Sequence, residues 1–201
     1  MTNKITSVFC VKVLFVFTFF MAVSCGDDYL PKPKAYLRLD YPEPKYNQVD
    51  LGLPFEFEVN KLAENIQVNQ IGGPSESYGV NLEYPLMKGT IFLTYKTVKD
   101  REKDLRDFIR DAQNLTQKHT IKADEIPVTA YENKKRKVYG AFAEVKGDVA
   151  SMAQFYVTDS VNHFLTGSLY FYAKPNYDSI LPAAHYLQND IKHIMESVNW
   201  K

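Results

Sequence analysis

Both cysteines of this 201-residue chain lie in its first 25 positions, at 10 and 25, and that placement constrains the fold more than any other feature. The segment around them reads as an export signal. Met1 to Lys12 carries Lys4 and Lys12 and no acidic residue, and Val13 to Val23 (VLFVFTFFMAV) is apolar apart from Thr18. Ser24 and Cys25 follow. A charged start, an apolar stretch and a small-residue end are the three parts of a secretory signal. The apolar stretch is 11 residues long, well short of the ~20 that a membrane-spanning helix needs. Ala22-Val23-Ser24 running straight into Cys25 resembles the lipobox read by the lipoprotein signal peptidase, although Leu is the more usual residue where Ala22 stands. The expectation is a lipoprotein signal peptide over 1–24 and a lipid on Cys25. A plain signal, or an uncleaved anchor helix, would export the rest of the chain as well. One acyl chain holds a protein to a membrane only marginally and two or more hold it firmly, so the mature chain is read as anchored and not spanning.

Removal of 1–24 leaves 177 residues, enough for one domain with a substantial core. Cys10 leaves with the signal and Cys25 is consumed by the lipid. The body then has no thiol, although the envelope would permit a disulfide. Its stability has to come from apolar burial, and thiol nucleophiles and cysteine metal ligands are excluded. The mature chain has 22 basic and 24 acidic residues, a formal charge of −2. Nucleic-acid binding wants a basic excess on one face, and no such partner is expected.

Residues 25–54 read as a lipid-anchored arm rich in Pro, Lys and Tyr. Gly26 is not the aspartate that retains many lipoproteins in the inner membrane, so the outer membrane is expected. Asp27 and Asp28 are a weak match to an acidic surface-export signal, which leaves the periplasmic face favoured. Tyr29-Leu30-Pro31-Lys32-Pro33-Lys34 is echoed by Tyr41-Pro42-Glu43-Pro44-Lys45-Tyr46. Alternate prolines favour extended polyproline II. Tyr36 to Tyr41 alternates between the two and has the pattern of a short strand. Regular aromatic and leucine side chains in a tether imply packing, first of all on the chain's own domain. Tyr29, Pro31, Lys32, Pro33, Lys34, Tyr36 and Tyr41 are also the candidate partner-binding residues.

Residues 55–201 read as a single α+β domain. Phe55, Phe57 and Val59 alternate with Glu56 and Glu58 as a half-buried strand, with Ile66 to Ile71 its expected partner. Strands are expected at Tyr78 to Tyr84 and Ile91 to Tyr95. Leu105, Phe108, Ile109, Ala112 and Leu115 then change to a helical period, with Asp100 as N-cap. Four strands follow near 126–133, 137–145, 150–158 and 163–172. Their connections are short enough to force an antiparallel meander. Ile180, Ala184, Leu187, Ile191, Ile194 and Val198 mark a closing helix, capped by Asp178 or Ser179, with Pro182 in its first turn. Trp200 is expected to fold back onto the core. The sum is an antiparallel sheet of about six to eight strands covered by two main helices. The element order resembles the Mog1/PsbP-type fold, a likeness that says little about function.

The search for chemistry is mostly negative. His119, His163, His185 and His193 are scattered. Asp190, His193 and Glu196 share a helical stripe but lack the zinc-helix spacing. There is no G-x-S-x-G elbow, and Gly72-Gly73-Pro74 lacks the lysine and spacing of a phosphate loop. No catalytic residue, metal or cofactor is expected. Lys134 to Lys137 sits at a hairpin tip and reads first as a solvated turn. Tyr139, Tyr156, Tyr170 and Tyr172 are expected to pack on the sheet.

The arm (PKPKAY at 31–36, with Arg38, Asp40, Tyr41 and Pro42), YGVNLEYP at 78–85, GSLYF at 167–171 and IMESVNW at 194–200 resemble the gliding-motility lipoprotein GldD family of the Bacteroidota. The resemblance runs over essentially all of the mature chain. It implies an outer-membrane-associated, non-enzymatic lipoprotein that acts as a scaffold in the gliding apparatus and the linked type IX secretion system. It implies partners among the other lipoproteins of that machinery, GldJ foremost. Only Cys25 carries over, as the lipid site. The alternative is a lipoprotein that captures a small molecule or glycan in a cleft of the sheet.

Overall fold

The alternation seen after residue 54 does build strands, but the first of them leaves the main sheet. A computed structural model describes residues 40–73, 76–118, 123–147, 149, 151–172 and 177–201, with 177–179 as backbone only. The signal segment and the first half of the arm, 25–39, lie outside the described residues. In chain order the elements are β1 (Tyr46–Val49), β2 (Phe55–Asn60), β3 (Glu64–Ile71), β4 (Ser77–Tyr84), β5 (Gly89–Thr97), α1 (Arg101–Gln117), β6 (Ala123–Glu125), β7 (Val128–Asn133), β8 (Val138–Glu144), β9 (Lys146–Gly147), β10 (Ser151–Thr158), β11 (His163–Phe171), α2 (Tyr177–Ser197) and β12 (Asn199–Trp200). A single 3-10 turn, Pro85–Met87, joins β4 to β5.

The main sheet has seven antiparallel strands in the order β3-β4-β5-β11-β10-β8-β7. The fold is α+β, as expected. The four-strand meander is β7, β8, β10 and β11, consecutive neighbours with short turns. The Asp159 carboxylate closes one turn by accepting from the backbone N–H groups of Val161, Asn162 and His163 at 2.8–2.9 Å. Short polar side chains of this kind replace backbone partners in tight turns.

β3 pairs with β4 and not with β2. β2 instead lies in a second, three-stranded sheet, β1-β2-β12. The reason is its face. Phe55, Phe57 and Val59 are all buried and point down onto the main sheet, where Phe55 stacks on Tyr95 at 5.4 Å. Each buried ring of this size contributes about 2–3 kcal/mol. A strand whose apolar side lies on a sheet takes its partners from beside it, and here these are the arm strand β1 and the terminal β12. Trp200 does fold back: it sits edge-on to Phe55 and its Nε1 donates to the Lys137 carbonyl at 3.1 Å.

Strand alternation sends the two helices to opposite faces. Ile91, Leu93, Leu165, Leu169 and Val157 belong to the main core with Leu187, Ile191 and Ile194 of α2. The intervening residues face α1, whose Phe108 packs on Phe164 at 5.4 Å. Asp100 caps α1 as expected, accepting from Lys103 N–H at 3.1 Å. In return Asp104 accepts from the N–H groups of Lys99 and Asp100 at 2.9 Å. Such reciprocal capping fixes a helix start. Pro182 is the sixth residue of α2 and lies past its first turn, not within it. Tyr156 stacks on Phe164 and Tyr170 meets Phe92 edge-on. Tyr172, in contrast, is 71 % exposed.

Candidate functional site

The described end of the arm is held by a buried acid on α2. Asp190 is 1 % exposed. Its carboxylate accepts from Tyr46 Oη at 2.7 Å and from Asn60 Nδ2 at 2.9 and 3.1 Å. Asn60 Nδ2 also donates to Tyr186 Oη at 3.0 Å, and Tyr186 Oη donates to the Pro42 carbonyl at 2.9 Å. Tyr41 packs its ring on Tyr186 with centroids 5.5 Å apart. Tyr46 stacks on His193 at 3.6 Å, and His193 Nε2 meets Glu58 Oε2 at 2.7 Å. Residues from three places, the arm, β2 and α2, therefore converge on one carboxylate.

The electrostatics follow from burial. Removal from water raises the Asp190 pKa above its ordinary 3.8, against the opposing effect of the bonds from Tyr46 and Asn60. The Tyr46 hydroxyl is pushed up by burial and by its bond to Asp190. Tyr84 Oη is buried without a partner at bonding distance, although it lies close enough to Asp190 to influence its charge. An acid whose folded pKa is raised holds its proton to higher pH in the folded than in the unfolded state. Stability from this group is then greatest below about 3.8 and falls as pH rises toward the raised value. Thermal melts of the wild type and of Asp190→Asn from about pH 4 to 7 check this. Wild type should lose stability relative to the variant as pH rises; a difference independent of pH contradicts it.

A second feature lies on the other face. α1 and the sheet flank a half-open cavity of about 440 Å³. The size falls in the ~300–1,000 Å³ range of small-molecule pockets. The sequence accounts for it. Phe108 stands on Phe164 and props the helix, while Ala112 above and Ala141 and Ala143 below are too small to fill the gap. No residue of α1 is fully buried. Among the described residues no charged side chain lines the cavity. Two of its polar side chains are engaged: Thr116 Oγ1 donates to Gln154 Oε1 at 2.8 Å and Gln154 Nε2 donates to Ser151 Oγ at 3.1 Å.

Of the candidate residues, Tyr41 is described, half-buried against Tyr186. Cys25, Tyr29, Pro31, Lys32, Pro33, Lys34 and Tyr36 lie outside the described residues. The stripe of Asp190, His193 and Glu196 is split, since Asp190 turns inward and His193 meets Glu58. Among the described residues no three His, Cys, Asp or Glu side chains gather as a metal site, and no helix is long and apolar enough to cross a membrane. The basic hairpin tip is more than a solvated turn. Arg136 Nη1 donates to the Glu196 carbonyl at 3.1 Å, a cation at a helix C-terminus, where it is favoured.

Sequence reasoning missed the Asp190 seat because its partners are 130 and 144 residues away in the chain. The one available signal was an acid on the apolar stripe of a helix, next to Ile191 and Ile194. No curated protein and no solved structure matches the chain. Among family models, that of the gliding motility lipoprotein GldD matches residues 26–200. With residues 26–200 of the chain matched, it belongs to the gliding motility lipoprotein GldD family.

Proposed function

We propose that this lipoprotein is a non-enzymatic assembly component of the gliding apparatus and the linked type IX secretion system. Lipid on Cys25 anchors it to the outer membrane, facing the periplasm, after loss of the signal 1–24. Tyr29 to Lys34 and Tyr36 engage another lipoprotein of the machinery, GldJ foremost. The observation that carries this reading is the seat at Asp190. The described end of the arm is tied into the body through Pro42, Tyr41 and Tyr46, a fixed attachment of the kind a scaffold uses. Family membership over 26–200 supports the setting. Cys25→Ser tests the anchor. It should abolish lipid labelling and processing, and a normally labelled, processed variant contradicts it.

The cavity under α1 favours one second reading, capture of a small molecule. Its described lining is shared between apolar side chains, such as Leu115, Ile126 and Val128, and uncharged polar ones, such as Gln113, Thr166 and Ser168, which suits an uncharged molecule with both apolar and hydrogen-bonding groups. Native mass spectrometry of the protein purified from its own cells should show a bound ligand that Ala143→Trp, which fills the cavity, removes. A ligand-free wild type overturns this reading.

A further inference from the structure

β3 is the outer strand of the seven-stranded sheet, and β4 is its sole sheet neighbour. Its outward backbone row therefore has no ladder partner among the described residues. All eight of its residues are exposed. Three of the seven exposed large hydrophobic residues described, Ile66, Val68 and Ile71, fall on this one strand. Proteins normally blunt such edges with Lys, Pro or inward charges. Glu64–Ile71 (ENIQVNQI) has no Lys, Arg or Pro, and its one charge, Glu64, is at the end. A bulge between Glu64 and Gln67, with Asn65 at φ 50°, bends only that end. The opposite edge, β7, differs: Tyr131 Oη donates to the Glu196 carbonyl and ties the strand to α2.

The sequence of β3 is complementary to itself in one antiparallel register. With a twofold axis at Gln67, Ile66 of one copy lies opposite Val68 of the other, and the bulge carries Asn65 and Glu64 out of the regular ladder. Apolar pairs directly opposite one another across two strands stabilise a ladder. Moving the axis to Val68 would set Ile66 against Gln70 and lose both mixed apolar pairs. A shift that pairs Gln67 with Val68 would place side chains on mismatched faces. Val68 also sits beside Val80, which is fully buried. Pairing across the axis would thus continue the apolar face of the core from one copy into the next.

We propose that β3 is a self-pairing edge that joins two copies of this chain into one continuous antiparallel sheet with its twofold axis at Gln67. The occupant of the edge is a second copy. Closed twofold pairing is the commonest way in which identical chains associate, and it consumes both exposed edges at once.

A cysteine scan of the full-length protein in its own cells tests this. The only other cysteines are Cys10 and Cys25. Antiparallel partners have Cα atoms ~4.5–5.5 Å apart, inside the ~4.4–6.8 Å reach of a disulfide. Gln67→Cys should give a reducible species of twice the mass on mild oxidation. Gln70→Cys should give roughly tenfold less or none, because the two copies of that position are ~20 Å apart along the strands. Val68→Lys, an exposed change that leaves the core intact, should suppress the Gln67→Cys product. Failure of Gln67→Cys to link while the protein remains folded and membrane-bound overturns the proposal. So does equal linking at positions 67 and 70, or linking of Gln67→Cys to a different protein.

Discussion

Replacing Gly140 with alanine is expected to destabilise the body by about 3 kcal/mol or more. An added Cβ would lie 1.8 Å from the Tyr156 carbonyl oxygen and 2.9 Å from Val157 Cα. Both belong to β10, the strand hydrogen-bonded to β8, with Val157 directly opposite Gly140. The obstacle is backbone in the middle of the sheet, so it cannot rotate away. Either the ladder parts or both strands shift, and β10 carries Ala153, Phe155 and Val157 into the core. Gly79→Ala is the internal control. There an added Cβ meets Ile71 side-chain atoms at 3.5 and 3.8 Å and the Asn69 carbonyl oxygen at 3.9 Å, all ordinary contact distances, and the change should cost less than about 1 kcal/mol. Urea unfolding of the lipid-free body, residues 36–201, measures both; equal midpoints for the two variants contradict the argument.

The second large effect is expected at the arm seat. Asp190→Ala removes the acceptor for Tyr46 Oη and for Asn60 Nδ2. Asn60 is 2 % exposed, and water cannot readily replace the lost partner. A buried donor left without a partner costs about 1–3 kcal/mol, more where the missing partner was charged. Here two donors lose a carboxylate at once. Burial of the carboxylate carries its own desolvation cost, which its removal relieves, so the net loss is set at about 3 kcal/mol. Tyr46→Phe should be milder, about 1 kcal/mol, because the ring keeps its stack on His193. The two variants should also differ in the arm. In Asp190→Ala the segment 40–50 should become cleavable by protease well before the body unfolds, and in Tyr46→Phe much less so. An Asp190→Ala protein with a protected arm and unchanged stability would mean that something other than this network holds β1 in place.

Which features were legible in the sequence depended on how local their causes are. The meander could be read because each turn is written in a few adjacent residues, as at Asp159, and because short connections leave antiparallel pairing as the only route. The start of α1 was legible for the same reason: Asp100 and its reciprocal partner Asp104 are four residues apart. The alternation of β2 correctly marked a strand with one apolar face, yet it could not say whether that face was part of the main sheet or lay on top of it. Both arrangements bury Phe55, Phe57 and Val59 equally well. β1 was missed because YNQV has no apolar alternation, and it is a strand only because β2 needed a neighbour. The aromatic side chains around it indicated packing on the chain's own domain, as Tyr41 does on Tyr186, but not the partners that Pro42 and Tyr46 find there. Asp190 was the least legible residue. On its helix it looks like one polar position in an apolar stripe, and its meaning lies in Tyr46 and Asn60, which only the fold brings near.

A seat made of a carboxylate, an amide, two tyrosine hydroxyls and a backbone carbonyl fixes the last part of the spacer to α2. The body then presents β3 and the turn at Lys134 to Lys137 in a set relation to that point of attachment.

The central claim is that the protein works as a component of the gliding and type IX secretion machinery and not through a reaction of its own. A clean deletion of its gene, assayed for colony spreading and for export of type IX cargo, tests this most directly. The account predicts loss of both, with full restoration by the wild-type gene. A deletion strain that spreads and secretes normally would contradict it.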